Sequence, residues 1–189
     1  SRSSRVLRSS AGERKIAKTI RHMFLLPLRK VYAFMLMEGF SVNELLAGTE
    51  LTEADFEDPY HIVSSTQART FYRNTVSLGQ AGMGLEIGYA TTLLDMGLRG
   101  FSISTSKSLG DALEDAVNAN PLYHLLGHWR VEVFEKIWVN YISTTEEFEH
   151  PLSVFLFERG ITLMQANVEE MCGATAKPTR LLLNYPKPA

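Results

Sequence analysis

The chain has a single cysteine, Cys172, in 189 residues. One thiol excludes an internal disulfide framework and suits a reducing compartment. A catalytic role for it is disfavoured, because Glu169 and Glu170 stand beside it near the end of a predicted helix and oppose a thiolate. There is no apolar run of the ~18 residues that a membrane span needs. The longest candidate, Met23 to Phe40, is broken by Pro27, Arg29, Lys30 and Glu38. No internal repeat occurs, and no low-complexity linker follows residue 12. No Gly-x-Ser-x-Gly elbow is present. Gly82-x-Gly84-x-x-x-Gly88 is one residue too long for a dinucleotide loop and has no strand before it. Its glycines are expected to permit a turn and close packing. Nothing in the chain demands an enzyme or a cofactor.

What remains is an apolar content of 45%, enough for a real core, and a lopsided charge. Residues 1–30 carry nine Lys/Arg against one acidic residue, while the rest carry ten against twenty. The acidic body is a poor nucleic-acid surface by itself. The Arg/Ser-rich start reads as a disordered basic tail over residues 1–12, with residues 13–189 as one domain. Such a start also imitates an organelle transit peptide.

Helical spacing predicts a helix over Glu13–His22, an interruption at Pro27, and a second piece over Leu28–Glu38 with Val31, Phe34, Met35 and Met37 on one face. Ser41/Glu44 and Thr52/Asp55 are capping boxes opening short helices. Ser64 or Ser65 caps a helix over Thr66–Leu78 whose inner face holds Ala68, Phe71, Tyr72 and Val76. Gly100–Thr105 reads as a short strand. Ser108 caps the next helix, with Asp111 at its capping-box position, and Pro121 ends or kinks that helix. His128–Ser143 alternates in the manner of a hairpin with a short connection at Glu135-Lys136. A long helix begins at Pro151 and stops at Gly173, and Thr179–Tyr185 is a last strand. Strands arranged as a hairpin and isolated pieces, without βα alternation, predict an α+β fold: several helices around a small antiparallel β-sheet.

Several groups can carry chemistry, and each also has a plain structural reading. His124 and His128 stand four apart and form half of a metal or haem site, but Pro121 and Gly127 oppose a regular helix there. Tyr32, Phe34, Met35, Met37 and Phe40 can line an apolar pocket, since methionine adapts to varied ligands; they equally make a core. Tyr60, His61, Gln67, Arg69, Tyr72 and Arg73 gather polar and aromatic groups that suit a carboxylate or hydroxyl; they equally make a solvated helix face. Trp129 and Trp138 can form an aromatic wall or a sheet core. Glu146, Glu147 and Glu149 read as helix-dipole compensation.

An ordered set of motifs runs through the chain: Gly39-Phe40-Ser41-Val42-Asn43-Glu44-Leu45-Leu46, a helix with an early Gln67, Gly84-Leu85-Glu86-Ile87-Gly88, Gly97-Leu98-Arg99-Gly100, the Ser-x-x-Leu-x-x-Ala-Leu start from Ser106 to Leu113, and Leu181 to Pro188. In this order and spacing the chain resembles the N-terminal "arabinose-binding"-type sensor domain of AraC-family transcription regulators. The resemblance implies a non-enzymatic, cytoplasmic effector-sensing domain that works as a homodimer. Its partners are then a small-molecule effector and, through helix-turn-helix units that follow the sensor in the full family, DNA. The chain stops before any such units and is expected to be a truncated product. The family label does not fix arabinose as the ligand. The matched glycines and caps are structural, so the resemblance carries over no ligand residues.

Overall fold

The computed structural model of the chain describes residues 5–7, 22–117, 127–134, 137–144 and 150–182. Their elements are β1 (Arg5–Leu7), β2 (His22–Phe24), α1 (Leu26–Met37), α2 (Val42–Leu46), a 3-10 turn (Glu53–Glu57), β3 (Ile62–Ser64), α3 (Ser65–Leu78), α4 (Met83–Tyr89), a second 3-10 turn (Leu94–Met96), α5 (Gly97–Ser104), α6 (Leu109–Val117), β4 (Gly127–Phe134), β5 (Ile137–Thr144) and α7 (His150–Cys172). The fold is α+β. One antiparallel sheet runs in the order β1-β4-β5, and β2 and β3 form a separate antiparallel ribbon.

Pro27 opens a helix where an interruption was expected. It sits in the first turn of α1, where its missing N–H is no loss. The backbone N–H groups of Leu25 and Leu26 donate to the carbonyls of His61 (2.8 Å) and Pro59 (3.0 Å), which ties the helix start to the turn before β3. His22, read as the end of an earlier helix, opens β2; residues 13–21 of that helix lie outside the described residues. Met37 is 86% exposed and does not share the face of Val31 and Met35. It follows Met35 by two residues, about 200° round the helix, so it falls off the buried stripe.

The capping signals hold. Ser41 and Glu44 form a reciprocal box at α2. Ser64 Oγ accepts from the Gln67 N–H at 3.2 Å, and the Gln67 side chain accepts from the Ser64 N–H at 2.9 Å. Ser108 caps α6 through the Asp111 N–H at 3.2 Å. Asn74 donates to the carbonyls of Leu45 and Ala47 at 2.9 and 2.8 Å, fastening the end of α2 to α3.

Gly100–Thr105, expected as a strand, is helical as part of α5. Its alternation was too short to separate a period of 2 from one of 3.6, and the buried pair is Gly100 and Ile103, three apart. A β-carbon on Gly100 would collide with the Leu93 carbonyl and approach Met96 Cβ at 3.1 Å, so this glycine lets α5 fold back onto the preceding turn. The terminal strand is likewise absent over residues 179–182, where Leu181 and Leu182 are exposed and pair with no strand; its remainder lies outside the described residues. The hairpin stands as read. Phe134 pairs with Ile137, leaving two intervening positions, 135 and 136, which lie outside the described residues. Arg5–Leu7, within the segment expected as a tail, pairs with Val131–Val133 of β4.

Two apolar clusters share α7. The larger holds Leu28, Met35, Leu45, Phe71, Tyr72, Ile87, Leu152 and Phe155 among others. A chain of rings crosses it: Tyr32 stacks on Phe56 at 4.1 Å, and Phe71, Tyr72 and Phe155 follow at centroid separations of 5.9, 5.8 and 6.0 Å. The smaller cluster packs Leu93, Met96, Ile103, Ala112 and Ala116 against Leu163.

Candidate functional site

Helices α4 and α7 pack in close backbone contact. Gly84 and Gly88, one turn apart on α4, face α7 without side chains between. A β-carbon on Gly84 would lie 2.7 Å from the Phe155 carbonyl oxygen and 3.1 Å from Glu158 Cβ. One on Gly88 would lie 2.9 Å from Arg159 Cα. The expectation of close packing at these glycines is met. Arg159 then reaches across to α1 and donates from Nη2 to the Pro27 carbonyl at 2.9 Å. Glu158 is 4% exposed, and its carboxyl has no partner among the described residues. Burial holds it above the usual carboxylate range.

The residues singled out from the sequence fall in three places. Tyr32, Met35 and Tyr72 belong to the larger core. Tyr32 keeps one unusual feature: its hydroxyl is buried with no hydrogen-bond partner among the described residues. Burial, followed by the charges of Glu53 and Glu57, raises its phenol above the ordinary tyrosine value. Tyr60 and His61 lie on the turn before β3. The Tyr60 ring meets Phe24 edge-on at 5.5 Å, and His61 Nε2 stands 3.7 Å from Asp55. Gln67 and Arg69 lie on α3, and Gln67 is engaged in the cap of its own helix. Of the pocket companions, Phe34 and Phe40 are partly buried against the core. Trp129 and Trp138 occupy β4 and β5 and pair with Ile142 and Val133. His124 lies outside the described residues. Among the described residues no group of three or more His, Cys, Asp or Glu is arranged to hold a metal ion. Nor is any described helix long and apolar enough to cross a membrane. Cys172 is exposed.

A recess that the sequence reading did not single out lies between α5, α6 and α7. Met96, Ile103, Leu113, Met164 and Met171 line it, with Asn167 and Arg99 as the polar members of a mostly apolar wall. It has room for about 20 Å³ of water-sized occupants. Asn167 is 7% exposed. Its amide donates to the Met96 sulfur at 3.2 Å, and its Oδ1 has no partner among the described residues. A buried acceptor left unmade costs about 1–3 kcal/mol. Arg99 Nη2 donates to the Ala116 carbonyl at 3.1 Å, joining α5 to the far end of α6. The signal was present: Leu163, Met164, Asn167, Val168 and Met171 follow one another at helical spacing on α7, with an amide in the stripe.

A family model described as the arabinose-binding domain of AraC transcription regulators, N-terminal, matches residues 39–189. The chain belongs to this family. No curated protein and no solved structure matches it. The matched span holds both the Gly84/Gly88 contact and the recess, so the glycine motif of this AraC-type sensing domain has a packing role: it sets α4 against α7. The same helix, twelve residues after Phe155, carries Asn167 into the recess wall.

Proposed function

We propose that this AraC-type domain binds a small-molecule effector, dimerises, and passes its bound state to helix-turn-helix units outside this chain, as the non-enzymatic, cytoplasmic part of a transcription regulator. The observation that supports this reading is the family match over residues 39–189. The architecture suits it. The smaller cluster of α5 and α6 rests on α7, and polar links hold it to the rest: the Lys30–Asp95 ion pair at 3.0 Å and the Leu93 N–H donating to Glu170 at 3.0 Å. An effector that binds one placement of this layer better than another shifts the population between them, by as much as its affinities differ.

Light scattering and calorimetry on the purified chain, with and without a panel that begins with L-arabinose and extends to amino acids and neutral alcohols, test the reading. One class of compound is expected to bind and to change the monomer–dimer balance. Absence of binding by every class would overturn it.

A further inference from the structure

We propose that the recess between α5, α6 and α7 is the effector site and takes a small, mostly apolar molecule bearing one hydroxyl, an alcohol or phenol whose O–H donates to Asn167 Oδ1; this rests on the sensing reading above. Asn167 is the deciding group. Its acceptor is buried, unpartnered among the described residues, and set in a wall of methionine, isoleucine, leucine, valine and alanine with one arginine, Arg99. Such a wall rewards an apolar body, and its lone unpartnered acceptor rewards one donor. A sugar fits poorly, because it brings several hydroxyls to a wall with little to receive them. The guanidinium of Arg99, also in the wall, is already donating to the Ala116 carbonyl.

The size of the recess agrees. It has room for one water-sized group, about 20 Å³, which matches a hydroxyl, and the ring or short chain that carries it is seated as the surrounding side chains give way. Met96, Met164 and Met171 surround that volume, and unbranched thioethers repack around a guest at little cost. The recess also lies at the joint between α7 and the α5–α6 layer, so a guest there acts directly on their separation.

The test uses p-cresol and toluene on the intact chain, read by calorimetry and by the methyl resonances of its seven methionines. p-Cresol is expected to bind about tenfold tighter than toluene, one hydrogen bond's worth. It should shift the methyls of Met96, Met164 and Met171 and leave Met23 and Met35 in place. Asn167→Leu should remove the preference for p-cresol, while toluene binding persists. Equal affinity for the two probes in the unchanged chain would overturn the proposal, and so would a p-cresol preference that survives Asn167→Leu. A sugar or amino acid that binds without moving the three recess methyls would overturn the site and leave the sensing reading standing. Failure of every class to bind would remove both.

Discussion

Gly88 lies directly against the backbone of Arg159. A β-carbon on it would stand 2.9 Å from the Arg159 Cα and would overlap the Arg159 carbonyl oxygen and Thr162 Oγ1. Helices normally meet through interdigitated side chains at axial separations of about 8–10 Å. Here α4 presents two glycines one turn apart, and the backbone of α7 lies where their β-carbons would be. The depth at which α7 sits then fixes what its flanks reach: Arg159 finds the Pro27 carbonyl, Glu170 finds the Leu93 N–H, and Asn167 enters the recess.

Gly88→Ala should therefore destabilise the domain, although alanine is the better helix former by about 1 kcal/mol. The obstacle is backbone, which cannot rotate away, and overpacking costs about 1–3 kcal/mol or more. A net loss of about 1–3 kcal/mol is expected from urea unfolding at constant slope. Leu85→Ala, three residues earlier at an exposed position, should cost clearly less. Equal costs for the two would show that α4 and α7 can separate freely.

Glu158 gives a pH dependence with a definite sign. Burial raises its carboxyl in the folded chain, so the folded state keeps this proton after the unfolded state has lost it. Stability then falls as pH rises from the ordinary carboxylate range up to the raised value, and stays lower beyond it. Glu158→Gln removes that loss. The variant should match the parent at the acid end and exceed it at neutral pH, in urea midpoints taken at both. A variant weaker than the parent at neutral pH would mean that the carboxylate has a partner.

Much of this arrangement was legible in the sequence, for identifiable reasons. Caps are local: Ser41/Glu44, Ser64/Gln67 and Ser108/Asp111 act over three residues, and each forms as read. The hairpin rested on alternation sustained over two strands. Gly100–Thr105 failed because six residues do not resolve the period and because Gly100 answers a contact with Leu93 that depends on the fold. Pro27 was read as a break, yet a proline in a first turn is indistinguishable from one that ends a helix until the partners of the helix start are known. The recess was missed because it draws on three helices and its signal is a single amide, Asn167, in an apolar stripe. Gln67, weighed as a ligand contact, is committed to its helix cap by the same short-range geometry that made the cap readable.

That double reading of Gln67 can be separated by a cycle of variants. Ser64→Ala should cost about 1 kcal/mol through loss of the cap on α3. Gln67→Ala should cost less, because it removes only the reciprocal half. If the two act as one box, the double variant should lose less than the sum, with a coupling of at least about 0.5 kcal/mol by urea unfolding. Strict additivity would detach Gln67 from the cap and return it to the candidates for ligand contact.

Tyr32→Phe probes the buried hydroxyl that has no partner among the described residues. The substitution keeps the ring and so keeps its stack on Phe56. Removing an unsatisfied buried group should leave stability unchanged or raise it by up to about 1 kcal/mol, whereas Tyr32→Ala opens a cavity in the larger core at a cost of about 3–5 kcal/mol. The phenol adds an alkaline signature. Burial and the neighbouring charges of Glu53 and Glu57 raise its pKa, so the folded state holds this proton while the unfolded state ionises near the ordinary value of about 10. Stability should fall as pH climbs above that value, and Tyr32→Phe should flatten the fall in thermal midpoints compared between about pH 8 and pH 11. An identical alkaline slope in the two proteins would place the titration elsewhere. A loss of more than about 1 kcal/mol near neutral pH would show that the hydroxyl is satisfied in solution.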